Sequence, residues 1–147
     1  MTLPHQVQQL LTMDAASAKK LLGKISSEEL LAPAKIVSRE DALLVKAAIY
    51  LKHGFLDESH KISQQVETPN GSYWHAIMHR KEGDFGNSKY WYRRVGAHAV
   101  LATMGEKWDA LRFVDQCARG TAPDALERKE FDLLLQHTIR CATFTQP

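Results

Sequence analysis

Two stretches decide how this chain folds: "YLKHGFLDESHKISQQV", Tyr50 to Val66, and "HRKEGDFGNSKYWYRRV", His79 to Val95. They align without a gap. Each reads as the end of one helix, a glycine (Gly54, Gly83), an aromatic residue (Phe55, Phe85), a polar linker, a serine (Ser59, Ser88) and then a second helix. Glycine ends a helix in a left-handed turn at little steric cost. A small residue early in the next helix lets the two helices approach closely. A weaker echo, "MGEKWDALRFVDQCA", sets Gly105 before Trp108 and Ala110. A lone helical hairpin cannot bury its apolar face, so such units are expected to stack.

Outward from this core the periodicity is helical nearly everywhere, and sustained apolar/polar alternation is missing. Short helices are expected around Leu3–Leu11, after a cap at Asp14, and from the capping-box pattern Ser26-x-x-Glu29. Ser38-x-x-Asp41 opens a stronger helix closed by Gly54. Further helices are expected over 57–67, from a Ser72 cap to Glu82, from about Gly86 to Val95, over 106–118 and over 123–142. The last carries Leu126, Leu133, Leu134, His137 and Cys141 along one side, and its run Glu127-Arg128-Lys129-Glu130 reads as a solvated face. The expectation is a single all-α domain over 1–147 of about nine helices in stacked antiparallel hairpins. Short N-terminal helices occupy 1–35, a hairpin-repeat core 39–118, and a C-terminal helix 123–142.

The turn and second helix, Lys81 to Val95, resemble a tetratricopeptide (TPR) or Sel1-like repeat, with Ser88 at the small position and Tyr92 at the large one. The resemblance is confined to residues 42–118 and departs from the usual 34-residue period. It implies an adaptor that binds a protein or peptide. The stretch Gly71–Gly96 also resembles a segment of uncharacterised bacterial proteins of no assigned activity, which implies no chemistry.

With 147 residues the chain can bury a substantial core. A formal charge of +2 is too small to point to nucleic acid or an anionic membrane. No segment approaches the roughly 18 apolar residues a spanning helix needs. Cys117 and Cys141 lie far apart with no partner motif, as expected of reduced thiols in a cytoplasmic protein, monomeric or homodimeric. The N-terminal stretch lacks the charge and apolar pattern of a signal peptide.

Three groups of residues bear on function. His75 and His79, four apart, share one helix face. His60 and His79 each stand about eight residues from the turn at Pro69, on the order of 12 Å along their helices, and so sit level if those helices are antiparallel. The three form a possible metal centre or acid–base site. The simpler expectation is one histidine bonded in the core and another in solvent, with no cofactor. Tyr90, Trp91 and Tyr92 are consecutive and point about 100° apart, so one at least should be exposed. Tyr90 and Trp91, with Trp74, His75, His79, Arg93 and Arg94, make a candidate binding surface, the arginines suiting a carboxylate or phosphate. Protein or peptide binding is therefore the primary expectation, with a His60/His75/His79 enzyme and a small-anion binder as alternatives. Phosphate-cradling glycine loops, a nucleophile elbow and a Cys–His arrangement are not evident.

Overall fold

A computed structural model describes residues 2–144. The fold is all-α, with ten helices among those residues: α1 His5–Thr12, α2 Ala15–Leu22, α3 Ser27–Leu31, α4 Arg39–Lys52, α5 Leu56–Ser63, α6 Pro69–Glu82, α7 Phe85–Val95, α8 Ala99–Met104, α9 Ala110–Arg119 and α10 Asp124–Ala142. Two-residue strands β1 (Lys35–Ile36) and β2 (Thr143–Phe144) pair antiparallel, fastening the end of α10 beside the entry to α4. One cluster of buried side chains runs from Val7 to Ala142.

The helix ends follow local chemistry. Asp14, Ser38 and Asp109 each accept a backbone N–H in the first turn of the helix they open, and Ser26 and Glu29 form a reciprocal capping box. Gly54 and Gly83 both adopt left-handed backbone, at φ 84° and 85°. In each case the next N–H reaches back to the carbonyl five residues earlier, Phe55 to Tyr50 and Asp84 to His79. The two turns are thus equivalent, as their sequences imply. Ser59 and Ser88 are fully buried where the paired helices touch, and Ser88 Oγ donates to the Ala76 carbonyl at 2.7 Å.

Four features differ from expectation. Helix α5 ends at Ser63 rather than 67. Helix α8 has no counterpart among the expected helices; it is capped by the His98 side chain, which accepts from Val100 N. Helix α9 starts at Ala110 rather than 106. Helix α6 starts at Pro69, not after Ser72: Thr68 is the cap, accepting from Gly71 N at 3.1 Å, and proline fills the first helical position. Asn70-Gly71 therefore lies within the helix. Gly71 is required there by proximity, since a Cβ would stand 1.9 Å from the Val66 carbonyl oxygen.

Helix α6 is the axis of the fold. It packs against α4, α5 and α7, and α10 reaches it through the side chains of Glu127, Glu130, Phe131 and Thr138. Every residue from Asn70 to Arg80 is buried. A helix buried all round is ordinarily apolar. This one carries Asn70, Ser72, His75, His79 and Arg80, so its polar atoms need partners inside the protein.

Arg80 is the costliest of these. Its guanidinium donates to Glu130 Oε1 and to the Tyr92 hydroxyl, both at 2.7 Å. Tyr73 and Tyr92 each donate to Glu130 Oε2 at 2.8 Å. Glu130 is fully buried, so the run Glu127–Glu130 is not a uniformly solvated face. The buried side of α10 is Glu130, Leu134, Leu135, Thr138, Ile139 and Ala142. Trp74, expected on a binding surface, is fully buried and donates to Thr138 Oγ1 at 2.9 Å. Burial of its large ring outweighs exposure once its single N–H is satisfied.

At the other end of α6, Asn70 Nδ2 donates to Asp41 Oδ1 at 3.0 Å, and Asn70 Oδ1 lies 2.7 Å from His98 Nε2. His98 Nδ1 accepts from Val100, so Nε2 carries the hydrogen and the imidazole is neutral. Tyr73 packs edge-on against this ring and His137 lies 4.6 Å away. Burial, and secondarily His137, pushes the His98 pKa down to about 4.

Two outcomes follow for stability. Glu130→Ala leaves a buried guanidinium without its counter-charge and should cost about 3–5 kcal/mol. Thermal denaturation should show this as a fall of roughly 6–20 °C. The double variant Arg80→Met/Glu130→Leu should recover most of the loss. His98 binds its proton less readily folded than unfolded, so its contribution is complete above about pH 6.5 and is lost as pH falls toward 4. Urea midpoints should decline over that interval, and less steeply in His98→Gln.

Candidate functional site

His75 and His79 lie one turn apart on α6, and His60 comes from α5 across the Thr68–Pro69 turn. Counting residues from that turn puts His60 and His79 level, with His75 one turn nearer the turn, and the three meet. His60 Nε2 lies 3.0 Å from His75 Nε2. The rings of His75 and His79 are stacked at 4.8 Å, and His60 stands edge-on to both, at 4.7 and 5.3 Å. One nitrogen from each ring lies within 4.8 Å of the others. The expectation that these histidines part, one into the core and one into solvent, is not met. His75 and His79 are buried and His60 is half-buried at the rim.

The surroundings hold these rings in place. Trp91 of α7 stacks on His75, with centroids 3.9 Å apart and planes 16° from parallel. The Arg94 guanidinium lies 5.4 Å from the Trp91 ring centroid. His79 Nδ1 is 2.6 Å from Glu82 Oε1. A carboxylate only accepts, so Nδ1 carries the hydrogen and Nε2 is left to offer a lone pair. A carboxylate behind a histidine in this way fixes the tautomer and the orientation of the ring, as in metal centres.

Burial pushes the His75 pKa down to about 3, with smaller contributions from His79 and His60. Burial also lowers His60. His75 is therefore neutral at pH 7. Its Nδ1 is buried with no hydrogen-bond partner. Neutral imidazoles gain little from one another, and an orphaned buried nitrogen costs about 1–3 kcal/mol. The protein nevertheless concentrates three of its seven histidines here. Glu82 and Asp84 with His79 form a second, more exposed group of possible ligands.

The five residues His60, His75, His79, Trp91 and Arg94 are thus joined by direct ring contacts. Of the rest of the expected surface, Tyr90 is 48% exposed and Arg93 and Arg94 are exposed; the third aromatic of the run, Tyr92, is buried. Three consecutive aromatics do point in three directions. Lys89 does not extend the arginine patch: it pairs with Asp115 of α9.

A Cys–His contact, not evident in the sequence, is present. Cys141 Sγ lies 3.5 Å from His137 Nε2, one turn apart on the side of α10 where both residues were expected. Both cysteines are free thiols, and burial raises the Cys117 pKa. Among the described residues no helix is long and apolar enough to cross a membrane. Compared with known proteins, the chain matches no family model, no curated protein and no solved structure.

Proposed function

We propose that the protein binds a divalent transition metal ion through His60, His75 and His79, with zinc the best-suited ion. The observation that carries this is the approach of three imidazole nitrogens to within 4.8 Å of one another. Zinc–nitrogen bonds of about 2.0–2.1 Å in a tetrahedron set the ligand atoms about 3.3 Å apart. The 3.0 Å between His60 and His75 is close to that edge. The remaining separations need side-chain rotations on the order of 1 Å, and His60 at the rim has room to make them. Glu82 would hold His79 from behind. Imidazole ligands suit zinc, copper and nickel, and disfavour magnesium and calcium, which take oxygen.

Metal analysis of untagged protein, purified without chelators, should find about one transition ion per chain. Zinc at about 1,000 times its dissociation constant should add about 4 kcal/mol of stability, a rise of roughly 8–16 °C in the melting temperature. Stripping with a chelator should reverse it. His60→Ala alters the half-buried member of the trio, should fold, and should lose the rise. Protein that carries no metal and gains no stability from zinc, cobalt or nickel overturns the reading.

A second reading has its own observation. Tyr90, Arg93 and Arg94 stand exposed on α7, next to one another, and an aromatic beside arginines has the composition of an interface hot spot. The resemblance to tetratricopeptide repeats supports a face that docks an acidic peptide or protein. Selection from a peptide library should return acidic sequences whose capture is lost in Tyr90→Ala/Arg94→Ala. Sequences captured equally by that variant count against it.

A further inference from the structure

Three neutral imidazoles bring no negative charge to a divalent ion, so a centre built from them retains the ion's full charge in its inner sphere. Glu82 offsets one unit from the far side of His79, and Asp57 of α5, whose charge acts on His60, offsets part of the rest. On the α7 side stands a cation. Arg94 lies over Trp91, which backs His75, and neither Arg93 nor Arg94 has a carboxylate partner shown among the described residues. Among the described residues no fourth His, Cys, Asp or Glu joins the three within the 4.8 Å that groups them. Four-coordinate zinc held by three side chains keeps one position for an outside ligand. Half-buried His60 and Trp91 place that side of the group near solvent.

Resting on the metal reading above, we propose that the centre keeps an exchangeable coordination position that takes a small anion, a carboxylate or an oxyanion. The charge left on the ion favours an anionic occupant over a neutral one of the same shape. The arginine side adds to that preference at low salt and loses influence as salt screens it. The competing arrangement is closure of the position by Glu82 or Asp84, which gather on the other side of His79.

Cobalt(II) substitution tests this, because its visible bands report the number and type of its ligands. Acetate and phosphate, each titrated into the cobalt-loaded full chain at constant ionic strength, should shift these bands saturably. Acetamide, the neutral isostere of acetate, should bind at least tenfold more weakly. Bands indifferent to both anions overturn the proposal, and so does a response to acetamide as strong as to acetate. A response that appears only in Glu82→Gln or Asp84→Asn also overturns it, by showing that a carboxylate of the chain fills the position. A chain that takes up no cobalt fails before any anion is added, which identifies the metal reading, and not the open position, as the error.

Discussion

The pairing of Arg80 with Glu130 is the constraint on which this fold turns. A guanidinium at the centre of a protein is tolerable only if a counter-charge and hydrogen bonds meet it there. Glu130 supplies the charge, and the hydroxyls of Tyr73 and Tyr92 occupy its second oxygen. The four groups come from α6, α7 and α10, so satisfying them fixes how those helices pack. Trp74 on Thr138 and Asn70 between Asp41 and His98 repeat the logic along the same axis. Apolar burial drives the collapse, but a fully buried polar helix admits few alternative registers, because each would strand several of these atoms.

The same constraint places the histidines. With Tyr73 and Arg80 turned toward Glu130 and Tyr92, and Trp74 toward α10, His75 and His79 are directed to the side of α6 that faces α5 and Trp91 of α7. There they meet His60 and Trp91. The candidate site and the structural network are two faces of one helix. Substitutions in the network should therefore disturb the site through the rotation of α6, without touching a histidine.

Much of this was legible in the residues. Gly54 and Gly83 marked two equivalent turns because glycine is the residue that ends helices in left-handed backbone. Residue counts from Pro69 set His60 level with His79 because helical rise is constant. Consecutive aromatics implied exposure because a helix cannot turn all three inward. The failures share a cause as well. Glu130 sits in a run of charges that locally reads as solvent-facing, and its partner is fifty residues away in sequence. Nothing near Trp74 in the sequence announces Thr138, the partner that allows its burial. Helix α8 leaves little trace in the sequence because a histidine cap is unusual and six residues carry little periodicity. Local rules recover caps, turns and faces; the partner of a buried polar group depends on the tertiary arrangement.

Native-state hydrogen exchange on α6 tests the account most directly. If the helix is held on every side through its polar partners, the amides from Tyr73 to Arg80 exchange only through global unfolding, and zinc slows them by the free energy with which it binds. Exchange of those amides by local opening, well below the unfolding free energy and indifferent to zinc, would contradict it.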